Sequence, residues 1–209
     1  MLILRRFLGY LRRIIRFFIR FLNSLKWRML FKYFGRNSQL ISPLRLDGTE
    51  NIIIGDYVSV GYKTWLAALP LTGEKECVLE LQDRVTIGHF NHIFSTKRIV
   101  IESDVITAGK VYISDNLHGY KDVNTPIQNQ PIVQNREVVI GEGSWLGVNV
   151  CILGAKVGKH CVVGANSVVT KDIPDYCVAV GAPAYVIKRY DFVTNRWQNT
   201  NKDGDFLIQ

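Results

Sequence analysis

Val138–Ala184 reads VVIGEGSWLGVNVCILGAKVGKHCVVGANSVVTKDIPDYCVAVGAPA. Branched aliphatics recur every sixth residue, at Ile140, Leu146 and Ile152 and again at Val157, Val163 and Val169. Glycine follows four of them directly, as Gly141, Gly147, Gly158 and Gly164. A six-residue apolar period is neither the 3.6-residue period of a helix nor the alternation of an isolated strand. It suits a chain wound into a solenoid of short strands and tight corners. The one irregular step, five residues from Ile152 to Val157, reads as a deletion at a corner.

Upstream the same spacing recurs. Leu81, Ile87, Ile93, Ile99, Val105 and Val111 are six apart, and Ile54-Gly55 and Val60-Gly61 form a further pair. Each sixth side chain is expected to enter a shared core. Gly, Asn or Asp beside it takes the corner, where positive φ is tolerated. A sandwich of short strands is the competing architecture, but it supplies no reason for a fixed period over so much of the chain.

The segments IGEGSWLG and VVGANSVVTKDIPDYCVAVGAPAYVIK resemble the hexapeptide-repeat acyltransferases, most of all their xenobiotic and sugar O-acetyltransferase branch. The match is dense from about Ile54 to Lys188. The resemblance implies an all-β chain, a left-handed parallel β-helix with three hexads per turn. The left hand comes from the resemblance alone, because parallel crossovers otherwise favour the right hand. The expected organisation is a basic amphipathic helix over 1–36, the β-helix over 37–184 with an inserted loop at 112–138, and a C-terminal helix or tail over 185–209.

Charge is unevenly spread. The chain carries a formal +8, and residues 1–34 hold nine basic side chains and no acid. At about 100° per residue, Arg5, Arg6, Arg12, Arg13, Arg16 and Arg20 gather on one helix face. Leu4, Phe7, Leu8, Leu11, Ile14, Ile15, Phe18, Phe21 and Leu22 cover the other. The segment has neither the unbroken apolar core nor the cleavage site of a signal peptide, and its arginines are too dense for a bilayer span. It fits in-plane insertion at an anionic leaflet; packing on protein is the alternative. No recognition motif accompanies the charge, so nucleic acid is not expected. Cys77, Cys151, Cys161 and Cys177 lack ligand-like spacing and read as buried thiols of a reducing compartment. The expected location is cytoplasmic, attached peripherally to the inner face of the cell membrane.

The chemistry is expected where the repeat stops. The stretch after Val111, VYISDNLHGYKDVNTPIQNQPIVQNREVVIG, is a long polar excursion from a rigid scaffold, a usual place for functional groups. In the family a D-x-x-H-G loop followed by a P-I segment helps to form the active site with a neighbouring subunit, and its His is the general base. That role falls on His118, with Asp115 a candidate for orienting the ring. Neutral His118 would accept the proton of an acceptor hydroxyl as the oxygen attacks the acetyl-CoA thioester.

The family pattern also implies that coenzyme A runs along the later coils. Gly147 and Ala165 would contact pantetheine through their backbones, Thr170 and Lys171 would meet the nucleotide end, and Tyr185 and Lys188 stand at the positions beyond GAPA. Trp145 either covers the cofactor or sits at a subunit seam. Asn91, Asn116 and Tyr120 are candidates for the acceptor side. His89 and His92 invite a metal reading, but no third ligand accompanies them and no metal is expected. The γ-class carbonic anhydrases place a second histidine five residues after the first; here the residue five after His118 is Val123. His160 reads as a solvated corner residue.

The expectation is a homotrimeric, acetyl-CoA-dependent O-acetyltransferase acting on a sugar or glycan acceptor, held at a membrane surface through residues 1–34. A xenobiotic O-acetyltransferase and a non-catalytic scaffold are the alternatives.

Overall fold

Leu81 pairs with Ile101, Ile101 with Ile140, and Ile140 with Val157, each in a parallel ladder. These pairings join strands of successive turns, so the chain visits three sheets in rotation. The computed structural model describes residues 25–202 and 204–207. Face A holds Tyr33–Phe34, Ile52–Ile54, Val78–Leu81, Arg98–Ile101, Val138–Ile140 and Lys156–Val157 in that order. Face B begins Gln39–Leu40, Ser59–Val60, Thr86–Ile87, Ile106–Thr107, Trp145–Leu146, Val162–Val163 and Cys177–Gly181. Face C holds Arg45–Asp47, Trp65–Ala68, His92–Ser95, Tyr112–Ser114, Cys151–Leu153 and Val168–Val169. The result is a three-sided parallel β-coil, nearly all-β, with one short helix among the described residues at 25–30.

The hexad aliphatics fill the interior. Leu81, Ile87, Ile93, Ile99, Val105, Val111, Ile140, Leu146, Ile152, Val157, Val163 and Val169 are all buried. The upstream series nevertheless changes row. Ile101, not Ile99, stands over Leu81, and Ile99 stands over Leu79. One turn there takes twenty residues, and the even spacing passes from one inward row to its neighbour two residues away. The five-residue step at Ile152–Val157 leaves the ladder in register, with Gly154 at φ +58° taking the corner.

The corner glycines work differently from the expectation. Positive φ falls three residues after the aliphatic, at Gly143, Asn149, His160 and Asn166, not directly after it. Gly141 and Gly147 are required by close approach. A Cβ on Gly141 would lie 2.5 Å from the Gly158 carbonyl carbon, and one on Gly147 would lie 2.7 Å from the Ala165 nitrogen.

Both ends differ from the sequence reading. The coil begins at Tyr33–Phe34, which pairs with Ile53-Ile54, so it starts before residue 37. Trp27 and Phe31, from the 25–30 helix and its end, pack on the core there. The amphipathic pattern of residues 4–22 lies outside the described residues. At the other end no helix forms among the described residues. Ala184–Asp191 folds back antiparallel on Cys177–Gly181, and Arg196–Asn199 pairs with it.

Candidate active site

The long excursion is shorter at its base than 112–138. Tyr112–Ser114 is a regular rung strand, paired with His92–Phe94 below and Cys151–Leu153 above. The chain leaves the coil at Asp115 and returns at Val138. Inside the excursion, Asn116–His118 and Ile132–Gln134 form a two-stranded antiparallel ribbon that pairs His118 with Ile132. Gly119 follows, its N–H donating to the Pro131 carbonyl at 2.9 Å. A Cβ on Gly119 would lie 2.8 Å from that oxygen, so the ribbon closes only over glycine. His118 is exposed at the end of its strand.

Asp115 does not orient His118. Its carboxylate is fully buried and accepts the backbone N–H groups of Thr96, Lys97 and Arg98, each at 2.8 Å, and the Thr96 hydroxyl at 3.0 Å. It closes the corner of the rung below and roots the excursion there. Gln134 completes the base. Its amide donates to the Asp115 carbonyl at 2.7 Å, and its oxygen accepts from Thr96 and Thr72. Thr72 belongs to a second excursion at 69–77, which the sequence reading missed. Lys97 reaches Glu74 of that excursion at 3.2 Å.

Asn91 and Asn116 are likewise engaged. Asn91 is buried inside the coil, donating to the Ala108 carbonyl at 3.0 Å and accepting from the Val111 N–H at 2.7 Å. Asn116 donates to the Phe94 carbonyl and to Asp115. Neither amide is turned toward an acceptor. Tyr120 is exposed on the excursion.

Gly147 and Ala165 stack on consecutive rungs at the corner between faces B and C. The Gly147 N–H is taken by the Val163 carbonyl. Ala165 is exposed and, among the described residues, enters no hydrogen bond. Gly181 continues this edge, its N–H on the Ser167 hydroxyl, with Tyr185 beside it under the Lys202 ammonium. Gly147, Ala165 and Tyr185 therefore share one edge. Trp145 is exposed on the flat of face B, beside Ile106 and Val162, and Lys188 is on the folded-back strand. Thr170 and Lys171 are exposed after Val168–Val169, near the opposite corner of face C. His118 leaves from that corner too, one rung below Gly147. Face C thus lies between the histidine and the Gly147 edge of its own chain.

The other histidines have separate employment. His89 Nδ1 accepts the Tyr62 N–H at 2.9 Å. The His92 ring stacks on Trp65 at 4.0 Å, and burial lowers its pKa from 6.5. The His160 ring, exposed as expected, stacks on Tyr176 at 5.6 Å. With Tyr190, Phe192 and Trp197 they line a cleft of about 260 Å³. The sequence reading missed this cleft because it depends on the hairpin folding back. Among the described residues no three His, Cys, Asp or Glu side chains gather as a metal set.

Comparison with known proteins agrees with this architecture. Residues 137–171 match the model described as "Hexapeptide repeat of succinyl-transferase". The chain is 33% identical over 186 residues to the putative lipopolysaccharide biosynthesis O-acetyl transferase WbbJ of Escherichia coli, covering 85% of this chain and 92% of that one. It is 39% identical to a probable acetyltransferase of Mycobacterium tuberculosis over 65% of this chain and 43% of the relative. A mutant of AntD, an N-acyltransferase from Bacillus cereus solved with dTDP and coenzyme A, shares the fold. Its TM-score is 0.65 at 16% identity, over 82% of this chain and 90% of that one. The chain belongs to the hexapeptide-repeat acetyltransferase family, and it is an acyl-transferring enzyme.

Proposed function

We propose that the enzyme moves an acetyl group from acetyl-CoA to a hydroxyl of a sugar, in a surface polysaccharide or a lipid-linked glycan precursor. The observation that carries this reading is the exposed imidazole of His118, held on a ribbon rooted through Asp115 and Gln134 in the rigid coil. The neutral ring accepts the hydroxyl proton as the sugar oxygen attacks the thioester carbon. A backbone N–H stabilises the oxyanion, and collapse expels coenzyme A thiolate, which takes up the proton. The lipopolysaccharide-related name of the Escherichia coli relative supports a glycan acceptor.

Gly147, Ala165 and Tyr185 line the edge offered to the extended donor, and Lys188 supplies charge for its phosphates, while Lys171, at the opposite corner of face C, reaches a neighbouring subunit's donor. Face C separates that edge from His118 within one chain. This favours a homotrimer in which one subunit's histidine meets its neighbour's donor edge, on a coil of left hand. The acid-free basic run of residues 1–34 supports attachment to the inner face of the membrane.

His118→Ala is the test. The expected result is a loss of about 10²–10⁴ in kcat with donor binding retained. Undiminished turnover would overturn the assignment.

A further inference from the structure

Among the described residues the first rung has no rung beneath it, and the 25–30 helix lies across that end. Trp27 and Phe31 point into the core, Phe31 being 5% exposed. The outward residues are apolar. Leu25, Met29 and Leu30 of the helix are 52%, 80% and 45% exposed, and Tyr33, Ile41 and Leu44 of the first rung are 53%, 41% and 61% exposed. Basic side chains surround them. A cleft of about 380 Å³ is lined by Arg28, Lys32, Tyr33, Phe34 and Arg36. Arg36 is fixed by Asp56 at 3.0 Å, whereas Arg28 and Lys32 meet no carboxylate among the described residues. The first acid in the whole sequence is Asp47.

We propose that this end of the coil is itself a membrane face: the apolar residues of the 25–30 helix and the first rung enter an anionic leaflet, and the Arg28–Lys32 cleft takes a lipid headgroup phosphate. The proposal rests on the membrane half of the functional reading and extends it from the N-terminal segment to the folded domain. Charge decides the occupant. A second copy stacked end to end would bring like-charged faces together, and residues 1–24 add six arginines and no acid. An anionic bilayer complements both the apolar and the basic parts of the face. The coil axis then stands up from the membrane. His118 leaves the fourth rung, three strand spacings from the end, so it sits about 15 Å above that end. An acceptor sugar joined to a lipid through a short phosphate linkage comes within reach at that height.

Flotation of the full chain with phosphatidylcholine vesicles, with and without phosphatidylglycerol, tests the face. Arg28→Glu with Lys32→Glu, and Ile41→Asp with Leu44→Asp, are compared with Lys110→Glu plus Lys156→Glu, which makes the same charge change on the fourth and sixth rungs. Leu44→Gln serves as a milder apolar variant should the double one lower the thermal midpoint. The expected result is a drop of about tenfold or more in partitioning to phosphatidylglycerol vesicles for the end-face variants. The mid-coil control should lose much less. Equal losses in the control, or no loss at the end face, overturn the proposal. So does full competition by inorganic phosphate at constant ionic strength, which would make the cleft a free-phosphate site. Acetyl transfer to a soluble sugar is measured on the same preparations and should be unchanged in the variants. A wild-type chain that transfers acetyl but does not float defeats the membrane face alone. One that floats without transferring acetyl to any sugar defeats the chemistry alone.

Discussion

Asp115 and Thr96 are joined twice: the Thr96 backbone N–H and its hydroxyl both donate to Asp115 Oδ1, at 2.8 and 3.0 Å. This contact ties the first residue of the excursion to the rung below, three residues before His118. Asp115→Asn would turn an amide N–H₂ toward donors that now meet a carboxylate. A buried neutral donor left without its acceptor costs about 1–3 kcal/mol. In a chain of this length that lowers the thermal midpoint by about 2–12 °C. Calorimetry of Asp115→Asn checks this, and a shift under about 2 °C would show that the corner is held by other bonds.

Glycine spacing predicts opposite outcomes at two corners. Gly141→Ala places a Cβ 2.5 Å from the Gly158 carbonyl carbon, where only backbone movement gives relief. Overpacking of this kind costs about 1–3 kcal/mol. Gly109→Ala meets only the His89 carbonyl oxygen, at 3.2 Å. There the loss of unfolded-chain freedom offsets the contact, so stability should change by less than about 1 kcal/mol. Urea titration of the two variants compares them directly, and equal losses would contradict the spacing argument.

The coil was legible because burial enforces it. Each aliphatic at Ile140, Leu146 or Val163 is wholly enclosed, and no other residue type fills that row at similar benefit. Row changes were not legible, since Ile99 and Ile101 are both apolar and both buried; only ladder partners separate them. The site was half legible. His118 stood out because it interrupts the repeat. Asp115 and Asn91 were misassigned because a polar residue beside a loop looks the same in sequence whether it faces a ligand or caps the backbone. The 69–77 excursion, LPLTGEKEC, escaped notice because it is short and the six-residue spacing was followed upstream only to Leu81.

Thiol reactivity should follow burial. Cys77 is pushed up to about 11 and Cys161 to about 12, both by burial, and burial raises Cys177 as well. Cys151 alone is half-buried, on the outer side of face C next to Tyr112. All four are free. A thiol reagent at pH 8 should therefore modify one residue per native chain, Cys151, and four after denaturation. Rapid native labelling of two or more, located by peptide mass mapping, would show that the coil opens at the buried positions.

His92 should make stability fall in mild acid. Burial holds its imidazole below the ordinary 6.5, and its Nε2 is enclosed without a hydrogen-bond partner. The unfolded chain binds a proton there near pH 6.5, while the folded chain resists it. The contribution is therefore complete above pH 6.5 and is lost as pH falls from 6.5 toward the lower folded value. The carboxylates with depressed values, such as Asp56 and Asp104, act in a separate window, because their contributions persist until pH falls below about 3.8. His92→Phe keeps a ring against Trp65 and removes the titration. Its thermal midpoint should match the wild type at pH 7.5 and exceed it at pH 5.5. Parallel midpoints across that range would mean that His92 is protonated in the folded chain as readily as in the unfolded one.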